Sequence, residues 1–266
     1  TLAAALQQGI SLDTNYSSAP YQLPGSDVVT NVGGGCGVCN LREATKQSLN
    51  TSFLRLQEDL KNGTQDTADM AHALGVAKSL PGIEKTLTEN GKQPFEGIVL
   101  GQYQSRPLDM ATAMSTLANQ GVWHNPHFVQ RVENAAGEVL YEHPEDGGER
   151  RVSSNVANNV LEAMEPVAAW SNGALAGGRV SAAKTGTTQM GDTGNNKDAW
   201  MVGATPQLAT AVWVGTADNT SAIFDQYGGI MYGAGAPTKI WKAVLDNSLA
   251  NSEFQNFPAA YPLGFG

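Results

Sequence analysis

The run Lys184-Thr185-Gly186-Thr187-Thr188 constrains this chain more than any other stretch. Asp198-Ala199-Trp200-Met201-Val202-Gly203 and Ala209-Thr210-Ala211-Val212-Trp213-Val214-Gly215 follow it. Both are short, apolar, rich in β-branched and aromatic residues and bounded by Gly or Pro, so they read as successive strands of one sheet. Ahead of the lysine, Arg179-Val180-Ser181-Ala182-Ala183 alternates well enough to be a third strand. A lysine, several hydroxyls and a glycine therefore lie along one strand. A glycine there lets a ligand backbone come close. Hydroxyls and an ammonium beside it suit a carboxylate at the end of an extended peptide.

At 266 residues the chain has ample core for independent folding. A net charge of −9, with 16 Lys and Arg, argues against a nucleic-acid partner. No apolar run reaches the ~20 residues needed to cross a bilayer. The opening Thr1-Leu2-Ala3-Ala4-Ala5-Leu6-Gln7-Gln8-Gly9 reads as the second half of a helix without an N-cap. Any targeting or anchoring segment is accordingly expected upstream.

Both cysteines belong to one unit, Cys36-Gly37-Val38-Cys39, in a glycine-rich loop. Three readings compete. A zinc site needs two further ligands, and none of the four histidines is suitably spaced. A redox pair needs a helix start directly after a strand, which the glycines do not supply. A structural disulfide pinning the loop is favoured, and it implies an oxidising, extracytoplasmic setting.

The spacing of apolar residues predicts a helical region over 41–60 that falters near Ser48, and a second helix over 67–80 closed by Pro81-Gly82. A third is expected over 108–119 behind Pro107, a fourth over 154–168, and a last over 237–249 with Ile240, Trp241, Val244 and Leu245 on one face. Asn134-Ala135-Ala136-Gly137 between two apolar runs is a hairpin signal. Residues 254–266 read as an extended, loosely held tail. Helices first, then a small antiparallel sheet and a returning helix make this an α+β chain, or a helical layer set against an α/β layer.

His72, His124, His127 and His143 are scattered and read as surface or loop residues, so a histidine-based hydrolase is poorly supported. A serine nucleophile with a lysine base is the remaining chemistry, and it carries three motifs: S-x-x-K, S-x-N and K-T-G. K-T-G occurs once, at Lys184. Of two S-x-N matches, Ser153-Ser154-Asn155 precedes a helix and reads as a cap. Ser48-Leu49-Asn50 instead sits at a break between helical segments, where polar groups can project into a cleft. S-x-x-K occurs once, as Ser181-Ala182-Ala183-Lys184. It fails as a nucleophile, because residues three apart share a helix face but not a strand face. No credible nucleophile remains in the sequence.

These residues together resemble the transpeptidase domain of a class A penicillin-binding protein. The resemblance runs through Leu41-Arg42-Glu43-Ala44, Ser48-Leu49-Asn50-Thr51, Leu100-Gly101, Pro107-Leu108-Asp109-Met110-Ala111, Lys184-Thr185-Gly186-Thr187-Thr188 and Thr205-Pro206-Gln207-Leu208-Ala209. The Cys-x-x-Cys ahead of S-x-N is similar to actinobacterial members. The resemblance implies the penicillin-binding-protein/serine β-lactamase-like fold, an antiparallel sheet flanked by helices with an all-helical subdomain, over residues 1–266. It implies peptidoglycan stem peptides and β-lactams as ligands, no cofactor, and a membrane-anchored protein of the cell envelope. In that family S-x-x-K stands a few residues before the segment matching Thr1, so the nucleophile and its lysine are expected on a separate N-terminal fragment packed against this chain. By resemblance, Ser48 relays a proton, Asn50 binds the substrate amide and Lys184 supplies positive potential. Thr185 and Thr187 hold the terminal carboxylate, Gly186 and Thr188 line the substrate, and the Thr187 N–H forms half of the oxyanion hole. The rivals are a D,D-carboxypeptidase or serine β-lactamase, with water as acceptor, and a non-catalytic sensor of β-lactam or peptidoglycan.

Overall fold

The computed structural model describes residues 1–263, so the last three residues of the expected tail lie outside it. In chain order, α1 (Leu2–Gln7) leads to the short strands β1 (Asn15–Ser17), β2 (Tyr21–Gln22), β3 (Val28–Val29) and β4 (Val38–Asn40). Helices α2 (Leu41–Gln47), α3 (Asn50–Glu58), α4 (Thr64–Leu74) and α5 (Pro107–Ala118) follow, with a 3-10 turn at Glu96–Leu100. Then come β5 (Val122–Trp123), the hairpin β6 (Arg131–Glu133) and β7 (Val139–Glu142), β8 (Glu149–Arg150), α6 (Ser154–Met164) and α7 (Val167–Trp170). The chain closes with β9 (Ala182–Gln189), β10 (Asn196–Ala204), β11 (Ala209–Gly215) and α8 (Ala236–Ser248).

The three long strands form an antiparallel sheet in the order β11-β10-β9. Alternation along each strand sends side chains to two different cores. Ala183, Met201 and Val212 face α7 and α8, where Ala168, Trp241 and Leu245 are buried. Ala182, Val202, Ala204 and Ala211 face the larger helical layer, whose centre holds Leu6, Leu41, Leu56 and Leu161. In α1 every residue from Leu2 to Leu6 is buried. The sheet is thus sandwiched, and among the described residues no strand lies beyond β9, leaving that edge for the site.

Several sequence expectations shift. The strand expected before Lys184 starts only at Ala182, because 176–178 form a 3-10 turn. The helix expected over 67–80 is Thr64–Leu74; it ends at Gly75, whose φ of 138° no other residue adopts easily. The fourth helix is interrupted at Pro166 and resumes as α7. On α8 the buried face is Pro237, Thr238, Trp241 and Leu245, whereas Ile240 and Val244 are exposed. A stripe three and four residues apart is narrow enough that its neighbours turn outward. The tail carries no regular structure, yet Asn155 and Asn159 bond the Tyr261 backbone and Phe257 packs on the main core.

Close approach of α8 to the sheet rests on Gly203. A Cβ there would fall 2.6 Å from the Ala182 carbonyl oxygen and 2.8 Å from the Trp241 ring. Gly203→Ala is therefore expected to lower unfolding stability by about 1–3 kcal/mol, read as an earlier denaturant midpoint.

Candidate active site

The break between α2 and α3 is a Schellman motif. The Leu49 N–H reaches back to the Ala44 carbonyl at 3.0 Å and the Ser48 N–H to the Thr45 carbonyl at 3.2 Å. Leu49 and Ala44 are both buried, supplying the apolar contact that accompanies such an ending. The left-handed position of this motif normally takes glycine, but here it is Ser48, at φ 56° and ψ 53°. A side chain in that conformation costs roughly 1–2 kcal/mol. The strain places an exposed hydroxyl at the lip of the break, with Asn50 opening α3 one residue beyond Leu49.

Opposite stands the free edge of β9. Lys184 Nζ crosses the gap and donates to Ser48 Oγ at 2.6 Å and to the Thr185 carbonyl at 3.0 Å. Both partners are neutral. Burial lowers the ammonium from its ordinary 10.5 to about 8. The folded chain therefore releases this proton more readily than the unfolded chain does. Below pH 8 both states hold it and the fold bears the desolvation cost, which is shed as the pH rises from about 8 to 10.5.

Strand alternation puts Lys184, Gly186 and Thr188 on the side of the helical layer and Thr185 and Thr187 on the side of α8. Thr187 Oγ1 accepts the Gly233 N–H at 3.2 Å, which leaves its own proton free to donate. Gly233 lies so close over the strands that a Cβ would sit 2.5 Å from the Trp200 carbonyl oxygen and 3.1 Å from the Gly186 nitrogen. Thr188 Oγ1 stands against the left-handed Gly101, 3.6 Å from where its Cβ would be. Asn50 Nδ2 reaches the Thr30 carbonyl at 3.5 Å. Lys184 and Ser48 thus meet across the gap, with Asn50 beside the break and the threonines farther along β9. Ser181 is buried just ahead of β9, and the Lys184 ammonium turns to Ser48.

Gly233 has no sequence signal linking it to Lys184; a Gly-Ala-Gly ahead of a helix reads as a loop. The histidines are less scattered than the sequence suggests. His127 stacks on His143 with ring centroids 3.6 Å apart, and His124 bonds Asp146 at 2.5 Å. They line a cavity of about 530 Å³ between the end of α5, the β10–β11 turn and the hairpin, which contains none of the cleft residues. Among the described residues no group of His, Cys, Asp and Glu is arranged to hold a metal. Cys36 and Cys39 are joined in a disulfide.

Comparison with known proteins identifies the family. Residues 1–246 match the family described as penicillin binding protein transpeptidase domain. Penicillin-binding protein 1A of Mycolicibacterium smegmatis is 52% identical over 99% of this chain and 34% of its own length. The chain therefore spans about a third of that relative. The solved structure of the penicillin-binding protein PonA1 from Mycobacterium tuberculosis superposes with a TM-score of 0.95 at 51% identity, covering 99% of this chain and 69% of that one. The same protein in complex with penicillin V gives a TM-score of 0.94, at 51% identity and covering 99% of this chain and 70% of that one. Motif order, fold and these likenesses agree: the chain belongs to the penicillin-binding protein transpeptidase domain family.

Proposed function

We propose that this chain forms most of the acyl-transfer site of a D,D-transpeptidase that cross-links peptidoglycan stem peptides and is acylated by β-lactams. The observation that carries the reading is the 2.6 Å bond from Lys184 to Ser48, which joins two motifs 136 residues apart. Its support is the family membership and a solved relative in complex with penicillin V. The whole protein works at the cell envelope, outside the cytoplasm. None of the described helices is long and apolar enough to cross a membrane.

The nucleophile is the serine of an S-x-x-K segment outside this sequence, carried by an N-terminal fragment of the same protein. Its Oγ attacks the carbonyl between two D-alanines, and the tetrahedral oxyanion rests on its own N–H and that of Thr187. Such donors are worth about 3 kcal/mol each. The C–N bond then breaks, and Ser48 passes the serine's proton to the departing D-alanine amine. Lys184 keeps the cleft positive. Thr185 and Thr187 hydroxyls donate to the terminal carboxylate, with the Gly186 and Thr188 backbone alongside the extended peptide. Asn50 binds the amide on the other side of the scissile bond. A second stem peptide's amine attacks the ester, releasing the serine and leaving a cross-link.

Fluorescent penicillin followed by intact mass spectrometry tests the assignment on the complete protein. The label is expected on the serine of S-x-x-K; a covalent label on Ser48 or Ser181 refutes it. Turnover of the penicillin in place of a lasting adduct would make the protein a β-lactamase. The acylation rate is expected to fall as the pH climbs through about 8, where Lys184 loses its charge. In Lys184→Arg, whose charge persists, that limb should vanish even though the rate is lower throughout.

Backbone strain at Ser48 is read by comparing two variants that both lack the hydroxyl. Ser48→Gly should be more stable than Ser48→Ala by about 1 kcal/mol. Both should slow acylation, on the order of 100-fold. Equal stability of the two would mean the left-handed turn is unstrained.

A further inference from the structure

Helix α3 begins without a cap of its own. Its N-cap residue is Leu49, whose side chain offers no acceptor to the N–H groups of the first turn. The acceptor comes instead from Asn31, in the loop ahead of the disulfide. Asn31 Oδ1 takes the Thr51 N–H at 3.1 Å, while Nδ2 donates to Thr51 Oγ1 at 2.9 Å and to the Ser18 carbonyl at 3.0 Å. A half-buried carboxamide thus has both ends engaged, and Thr51, which it grips, is fully buried.

What lies behind Asn31 is equally fixed. Ser18 Oγ accepts the Cys36 N–H at 2.8 Å and donates to the Gly37 carbonyl at 3.1 Å, and the Ser18 N–H reaches that same carbonyl at 2.8 Å. Gly35 has no room for a side chain: a Cβ would lie 2.3 Å from Ser18 Oγ. The Cys36–Cys39 disulfide closes this loop. A second set of bonds ties α3 to the same ribbon, from Ser52 Oγ to the Ser17 carbonyl at 3.2 Å and from Arg55 Nη1 to the Ala19 carbonyl at 2.7 Å. One continuous chain of contacts therefore runs from the disulfide loop through Ser18 and Asn31 to Thr51. Its end is Asn50, whose carboxamide touches Thr30, the neighbour of Asn31.

A strained turn such as Ser48 persists when its surroundings over-determine it. The Schellman bonds fix the α2 side of the break, and Asn31 fixes the α3 side. We infer that Asn31 is a positioning residue for acyl transfer: it caps α3 from outside the helix and so holds the Asn50 carboxamide where it meets the amide of the bound peptide or β-lactam side chain. The inference rests on the acyl-transferase reading above.

The discriminating measurement is the second-order acylation rate of the complete protein with two probes. Penicillin V carries a side-chain amide; 6-aminopenicillanic acid has a free amine in its place. Asn31→Ala is expected to slow acylation by penicillin V about tenfold, and by 6-aminopenicillanic acid less than about twofold. Because Asn31 acts through Asn50, the double variant Asn31→Ala/Asn50→Ala should be no slower than Asn50→Ala alone. Asn31→Asp keeps an acceptor under the Thr51 N–H and should recover most of the rate, which also guards against a poorly folded alanine variant. Equal losses with the two probes, additive losses in the double variant, or no loss at all would overturn the positioning role. A wild-type protein that penicillin V does not acylate would overturn the acyl-transferase reading and this inference with it.

Discussion

A desolvated ammonium reaching a serine held in the wrong half of backbone space is the interaction on which this cleft depends. Neither partner is at its own optimum. Lys184 gives up hydration for two neutral acceptors, and Ser48 occupies a turn position that glycine fills at no steric cost. Together they bridge the two layers that flank the site. The remainder of the fold makes that arrangement tolerable: the larger helical core anchors α2 through Leu41 and one face of β9 through Ala182, and the smaller core holds the other face of β9 through Ala183 under Trp241. Both walls thus share the larger cluster, and the width of the gap is set by packing behind Lys184 and Ser48.

Much of this was legible in the sequence, for identifiable reasons. K-T-G on a strand, the break at Ser48, Pro107 opening α5 and the hairpin at 134–137 are all local signals, and local signals survive folding. Strand geometry argued against Ser181 as part of an S-x-x-K, but in the structure Ser181 lies buried one residue ahead of β9. What escaped the sequence depends on distant partners. The end of α4 is set by Gly75 packing against Thr112, where a Cβ would come within 2.7 Å of the methyl, and Pro81 six residues later looked like the stronger stop. Ile240 and Val244 share helical spacing with Trp241 and Leu245, but the sheet is wide enough to cover only one stripe. Gly233 and Asn31 carried no motif because their role is to satisfy atoms of residues 46 and 20 positions away.

The capping of α3 shows why such residues stay hidden. Sequence rules place the cap beside the helix it serves, and at Leu49 those rules return an apolar residue. The reason is that Leu49 already has another duty. As the residue after the left-handed turn it must be apolar to close the Schellman contact with Ala44, and its full burial serves that end. A side chain cannot both close the preceding helix with an apolar contact and cap the next with a hydrogen bond. The cap has to come from elsewhere in the chain, and the glycine-rich disulfide loop brings Asn31 to it.

That conflict also explains the placing of the groups proposed to act in acyl transfer. Two helices joined by only two non-helical residues, Ser48 and Leu49, leave almost no loop to flex, so Ser48 and Asn50 are carried at rigid helix ends and not on a mobile connector. The facing wall is likewise a strand edge, fixed by its ladder to β10 on one side and free on the other. An extended peptide laid along β9 would find backbone groups and hydroxyls already oriented, with little ordering left to do on binding. The strain at Ser48 and the desolvation of Lys184 are then costs borne once, on folding, and absent from each catalytic cycle.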